Sequence, residues 1–168
     1  MNKTKKIASV AMLSALYFVL SAILKIYVVG NITLDLGYIA LAVGAVYFGA
    51  VPGMLIGGFG AFLESALMSQ RGVSPGWILM NLIVGYCCGL ILHKAVEGGR
   101  KQFWIKAVIT VILSMLVGVA VKTAIDCLLY DIALLAKIPS SLTAWILDSA
   151  VMLVIGIPLA LILKKRLK

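Results

Sequence analysis

Four ionisable residues, Glu64, Lys122, Asp126 and Asp148, lie inside long apolar runs, and no other feature narrows the possible folds so far. An isolated charge at the centre of a bilayer costs roughly 2.5–3.5 kcal/mol on insertion scales. These four must therefore face one another, a cavity or a ligand. A bundle of membrane helices with a polar interior meets that demand. Of 168 residues, 63% are hydrophobic and only 12% are charged, and several segments have the length and apolarity of spanning helices. The formal net charge of +9 does not argue for nucleic acid, because the basic residues flank the apolar runs, as membrane topology requires.

The chain reads as an all-α membrane protein, a six-transmembrane-helix bundle forming one integral membrane domain over residues 1–168. The expected spans are 7–29, 38–51, 53–69, 76–93, 104–129 and 142–163, the second and third being short for a bilayer. An alternative merges 38–69 into one helix kinked at Pro52 and leaves five spans. Charge decides between them. With six spans, Lys3, Lys5 and Lys6, then Lys94, Arg100, Lys101 and Lys106, then Lys164, Lys165, Arg166 and Lys168 all share one side. The positive-inside rule makes that side, and both termini, cytoplasmic. Lys25, Arg71 and Lys137 remain outside. The first apolar run is too long for a removable signal peptide, and no small-residue cleavage site leads into a soluble region. Outer loops are expected at 30–37, 70–75 and 130–141; the first alternates apolar and polar residues between glycines, as a short extended lid would.

On this layout the four ionisable residues fall in the outer half of the membrane. Lys122 and Asp126, spaced i, i+4, share a helix face and can pair. Ser141, Trp145, Asp148 and Met152 share another, as do Trp77, Asn81, Gly85 and Cys88, and as do Gly57, Gly60, Ala61 and Glu64. Together they describe an outward pocket with two tryptophans, an amide, three carboxylates and one ammonium. Aromatic rings and polar edges of a small heterocycle suit such a mixture. The alternative is a structural ion network in which Lys122 bridges Asp126 and Asp148.

The remaining motifs are bland. Cys87, Cys88 and Cys127 lack metal-ligand spacing, and adjacent Cys87 and Cys88 diverge by about 100° on a helix. His93 sits beside Lys94 at the inner end of its span, an interfacial position. Gly57-Gly58-Phe59-Gly60 lacks the Lys-Ser/Thr ending of a phosphate loop. No nucleophile–base or metal constellation appears, so neither an enzyme nor a cofactor or metal site is expected. Small residues form packing stripes at Gly49, Gly53 and Gly57, at Gly85 and Gly89, and at Ser114 and Gly118, where helices approach closely. A further stripe, Ala8, Ala11, Ala15 and Ala22, lies on the first helix and can serve either the bundle or a partner protein.

At this point the chain resembles the substrate-binding S components of energy-coupling factor (ECF) transporters, the vitamin-uptake systems of bacteria and archaea. The resemblance covers nearly the whole chain: size, six spans, basic termini and the alanine-striped first helix. It is most specific over Leu34-Asp35-Leu36-Gly37-Tyr38-Ile39-Ala40-Leu41, over Tyr47-Phe48-Gly49-Ala50-Val51-Pro52-Gly53, and at Pro75-Gly76-Trp77 with Asn81 and Gly85-Tyr86 beyond. The branch it looks most like holds folate, pantothenate, pyridoxine and riboflavin binders. The resemblance implies a prokaryotic plasma-membrane, multi-pass subunit that binds a vitamin from outside, under the first outer loop. Asp35 and Tyr38 then join Glu64, Trp77, Asn81, Lys122, Asp126, Trp145 and Asp148 as candidate substrate-binding residues. It further implies docking, through an alanine-xxx-alanine face matched by Ala11 and Ala15 with Ala8 beside them, on a transmembrane scaffold subunit carrying two cytoplasmic ATPases. ATP hydrolysis there topples the subunit and releases substrate inside. The acidic pocket departs from what anionic folate or pantothenate would need. It favours pyridoxine-like compounds, thiamine or its pyrimidine precursor, or a modified purine. Two other readings remain: an ion-coupled carrier relaying through Glu64, Asp126 and Asp148, or a membrane scaffold protein that binds no ligand.

Overall fold

The computed structural model describes residues 3–23, 26–29, 32–69, 72–131 and 133–166. Gly30 and Asn31 of the expected lid, and Lys25, Arg71 and Lys168, lie outside the described residues. The chain runs α1 (Lys3–Ile23), β1 (Ile26–Val29), β2 (Ile32–Leu34), α2 (Gly37–Phe48), α3 (Ala50–Met68), α4 (Pro75–Ala95), α5 (Arg100–Tyr130), α6 (Leu134–Val151), a π-helical turn (Met152–Gly156) and α7 (Ile157–Arg166).

Among the described residues, five stretches are long and apolar enough to cross a membrane: Thr4–Ile23, Ala50–Met68, Pro75–Ala95, Arg100–Tyr130 and Lys137–Arg166. The sixth helix, α2, has only 12 residues. At 1.5 Å per residue it is roughly 18 Å long, well short of a ~30 Å hydrocarbon core. Six helical segments are therefore present, but only five can span alone. Apolar residues surround α2 on every side, and a helix of that kind is buried; it packs against α1, α3, α4, α7 and the π turn.

The break between α2 and α3 falls at Gly49, not at Pro52. Gly49 has φ +88°, a left-handed conformation open to glycine at little steric cost. Pro52 instead sits in the first turn of α3, where its missing N–H would have had no helical partner. The turn at Gly49 sends α3 back along α2, so that Gly53 meets Ala45 and Gly57 meets Leu41. The single kinked helix is thereby excluded.

Two other boundaries differ from expectation. The first helix ends at Ile23, six residues early, because Ile26–Val29 pairs antiparallel with Ile32–Leu34, Ile26 opposite Leu34 and Tyr27 opposite Thr33. β-Branched and aromatic residues favour that extended pairing, so the chain is not purely helical. The last helix begins at Leu134 and absorbs most of the expected 130–141 loop. Asp131, at φ 50°, ends α5 in the left-handed form, and Leu134, Leu135 and Ile138 continue an apolar helical pattern through Pro139. Farther on, the π turn ends at Gly156, two residues before Pro158. Proline's ring would clash with the carbonyl four residues back, and widening the helix relieves this. Gly156 within the turn lies against Tyr38 and Ala42 of α2.

The closest helix contact is between α3 and α4. A methyl on Gly53 would lie 2.6 Å from the Gly85 carbonyl oxygen, and one on Gly57 would lie 2.5 Å from that of Asn81. Backbone thus meets backbone along this seam, the packing that small residues permit in lipid. The bundle has two distinct ends. The hairpin end holds β1–β2 and the α3–α4 and α5–α6 connections. The tail end holds the start of α1, the α2–α3 and α4–α5 turns and the end of α7.

Gly53→Val is expected to destabilise the bundle by about 1–3 kcal/mol through overpacking, read as a lowered thermal midpoint in detergent. Gly99→Ala, where an added methyl meets nothing within 4 Å, should leave that midpoint unchanged.

Candidate functional site: a buried polar cluster at the hairpin end

The shortness of α2 creates the site. Its C-terminal end is level with the tail end of α4: His93 Nδ1 lies 2.9 Å from the Val46 carbonyl oxygen, and Gly49 packs on Gly89. Its N-terminal end is therefore sunk below the hairpin end of the longer helices. Tyr38, the second residue of α2, meets Trp77 edge to face at 6.4 Å and Tyr17 at 6.2 Å. Asp35, just before α2, is carried inward with it and is only 5% exposed.

Asp35 is held from three directions. Ser21 donates to Oδ1 at 2.5 Å, the Gly37 N–H donates to the same oxygen at 2.7 Å, and Tyr17 donates to Oδ2 at 3.2 Å. The Tyr17 hydroxyl also lies 2.9 Å from Asn81 Oδ1, so one proton serves two acceptors. Asn81 donates to the Trp77 carbonyl at 2.9 Å, and the Trp77 indole N–H donates to Glu64 at 3.0 Å. Asp148 accepts a hydrogen bond from the Asp35 backbone N–H. Burial pushes the Asp35 carboxyl up to about 6, and the neighbouring Glu64 carboxylate adds to the rise, against the opposing hydrogen bonds from Ser21, Gly37 and Tyr17.

One polar atom in this cluster has spare capacity: Asp148 Oδ1 is buried without a hydrogen-bond partner among the described residues, whereas the Tyr38 hydroxyl is engaged by the Asn81 side chain. Leaving a buried polar group unsatisfied costs about 1–3 kcal/mol, so Asp148 Oδ1 marks a place where another molecule's polar atom would be welcome.

Asp35, Tyr38, Glu64, Trp77, Asn81 and Asp148 thus come together. Lys122 and Asp126 form a second group: Lys122 Nζ lies 2.8 Å from Asp126 Oδ2, and Lys137 Nζ reaches the same oxygen at 3.1 Å. Lys137, rather than Asp148, completes this ion network. Asp126 also lies against Gly76 at the start of α4, next to Trp77. Trp145 turns elsewhere, its indole N–H donating to the Ile112 carbonyl of α5 at 3.2 Å. Ala8, Ala11 and Ala15 are all exposed on α1.

Sequence reasoning missed Tyr17 and Ser21, and it placed Lys137 only as an outer-loop charge. The signal for the first two was present. Ser14, Tyr17 and Ser21 repeat at helical spacing on a face about 120° from the alanine stripe, and all three are buried. Lys137 escaped because the segment bearing it was expected to be a loop.

Chemically the cluster sets aromatic walls from Tyr38 and Trp77 beside three carboxylates and an amide, groups able to accept N–H and O–H donors.

A family model described as "ECF-type riboflavin transporter, S component" matches residues 1–165. A solved structure described as "Structure and mechanism of the S component of a bacterial ECF transporter" superposes with a TM-score of 0.60 at 21% identity, covering 99% of this chain and 96% of that one. At that identity the likeness speaks for the fold. A curated relative, a UPF0397 protein of Onion yellows phytoplasma (strain OY-M), is 29% identical over 108 residues, 64% of this chain and 57% of the relative's own length. The chain is a multi-pass membrane protein that belongs to the S-component family of ECF-type riboflavin transporters.

Proposed function

We propose that this chain is the specificity subunit of an ECF-type importer in a prokaryotic plasma membrane, binding a neutral hydroxylated heterocycle of the riboflavin type at the hairpin end. One observation carries the proposal. Asp148 Oδ1 is buried without a hydrogen-bond partner among the described residues, in the cluster that the paired Tyr38 and Trp77 rings border. Riboflavin offers a flat ring for the aromatic walls, and its N–H and O–H groups are donors for carboxylates. It is uncharged, so the acidity of the cluster that disfavours folate and pantothenate does not exclude it. The family whose model matches is named for this vitamin.

The hairpin end faces outside in this proposal. Among the described residues, Lys5, Lys6, Lys94, Arg100, Lys101, Lys106, Lys164, Lys165 and Arg166 gather toward the tail end, against Lys122 and Lys137 toward the other. The positive-inside rule then makes both termini cytoplasmic. The β1–β2 hairpin leads directly into Asp35, so lifting the hairpin moves a carboxylate of the site, as a lid over the substrate would. Release requires partners: a transmembrane scaffold subunit and two ATPases, docked on the exposed Ala8, Ala11 and Ala15 face, with ATP hydrolysis toppling the subunit.

Riboflavin added to the purified protein should lose its fluorescence and raise the thermal midpoint. Folate and pantothenate should do neither. Binding of thiamine or pyridoxine without riboflavin would redirect the substrate assignment to a cationic ring; a clean negative across all five would overturn the binding role. Asp148→Asn should weaken riboflavin binding by about ten- to a hundredfold, yet leave the ligand-free protein at least as stable, because a buried charge with an unsatisfied oxygen is removed.

Ala11→Trp or Ala15→Trp should abolish uptake by cells that contain the whole transporter while riboflavin binding by the purified subunit persists. Loss of binding in both variants would remove the docking role from this face.

Asp35 supplies a pH test. Its carboxyl rises to about 6 in the folded chain from an ordinary 3.8, so the folded state holds the extra proton between those values. Its contribution to stability is greatest below about pH 4 and is lost as pH rises through 6. Relative to Asp35→Asn, the wild-type protein should therefore melt progressively lower as pH is raised from 4 to 7. Parallel profiles would show that Asp35 does not carry this dependence.

A further inference from the structure

The tail end holds a second site, unrelated in chemistry to the first. A cleft of about 530 Å³ opens between the start of α5, the α4–α5 turn and α7. Among the described residues its lining includes Arg100, Lys164 and Lys165 and no acidic side chain, Glu97 being in the turn between the lining residues Val96 and Gly98 and exposed. Arg100 and Lys165 are exposed to incoming ligand. The first turn of α5 also contains no acid, and its N-cap, Gly99, provides no side-chain cap. The positive end of a long helix thus adds to the charges of Arg100 and Lys165.

The other part of the lining is apolar. Trp104, Leu161 and Ile162 line it, with Ile162 55% exposed on the outer surface of the bundle. The cleft therefore has a cationic zone at the level of the helix ends and an apolar zone running up the membrane-facing side. Trp104 lies one turn into α5 from Arg100, and tryptophan is enriched at membrane–water interfaces. A free phosphate would fill only the cationic zone. A molecule with an anionic phosphate head and a hydrocarbon chain would fill both.

We propose that this cleft binds the phosphate headgroup of an anionic phospholipid, with one acyl chain lying against Trp104, Leu161 and Ile162. Basic recesses between membrane helices on the cytoplasmic side are suited to such headgroups. The site requires the membrane reading of the chain and is independent of the vitamin bound at the opposite end.

Native mass spectrometry of the full chain in detergent, titrated with phosphatidylglycerol, phosphatidylcholine or inorganic phosphate, tests it. Wild-type protein should retain phosphatidylglycerol in preference to phosphatidylcholine, and inorganic phosphate should not displace it. Arg100→Gln with Lys165→Gln should weaken phosphatidylglycerol retention by about thirtyfold, each charge contributing several-fold near a membrane surface. Trp104→Ala should weaken it as well. Lys5→Gln with Lys6→Gln, also near the tail end but outside the cleft lining, should have little effect. Unchanged thermal midpoints without lipid separate loss of the site from loss of the fold. Equal retention of both lipids, displacement by inorganic phosphate, or indifference to the Arg100 and Lys165 replacements would each overturn the proposal.

Discussion

The length of α2 is the constraint on which the rest of the structure depends. A helix of 12 residues cannot reach both surfaces of a bilayer, and its tail-end position is fixed by the reversal at Gly49 and by the glycine contact with Gly89. All of its shortfall is therefore felt at the hairpin end. There the chain must descend to meet it, and it carries Asp35 into an apolar interior. Nothing in lipid can hydrate that carboxylate, so the protein surrounds it with donors from Ser21, Gly37 and Tyr17. The polar cluster follows from one helix being too short.

The same geometry explains why the α3–α4 seam is made of glycines. With α2 filling the centre, α3 must reverse along it and still pack on α4. Gly53 and Gly57 allow that because their missing side chains would collide with the backbone at Gly85 and Asn81. This close approach sets Asn81 and Trp77 beside Glu64, giving the 3.0 Å bond between the indole and the carboxylate. Packing and site are consequently coupled, and a side chain inserted at the seam would disturb both.

Much of this was legible in the sequence, for identifiable reasons. Glu64, Trp77, Asn81 and Asp148 stood out because polar residues in apolar helices have few places to go, and helical phase brought their faces together. The glycine seam was legible as a small-residue repeat. What was hidden depended on where helices stop. Ile26–Val29 is as apolar as the helix before it, and only strand pairing reveals that it is extended. The residues from Leu134 onward contain a proline and polar side chains and read as a loop, yet they form helix and deliver Lys137 to Asp126. Pro52 drew attention as a breaker, although a proline in a first turn is harmless and the positive φ at Gly49 does the work. Trp145 had the right phase but not the right neighbour: its indole is spent on a backbone carbonyl of α5.

The two faces of α1 link the ends of the argument. Ser14, Tyr17 and Ser21 turn inward, and the last two hold Asp35. Ala8, Ala11 and Ala15 turn outward and remain exposed. A straight helix cannot shift one face without shifting the other. A substrate that competes for the Tyr17 hydroxyl, now divided between Asp35 and Asn81, pulls on the same helix that presents the alanine surface. In the proposed transporter, occupancy of the outer site can thus be reported to the docking face without any rearrangement of the α3–α4 seam. The seam supplies the frame, and α1 is the least buried of the five long apolar segments found among the described residues.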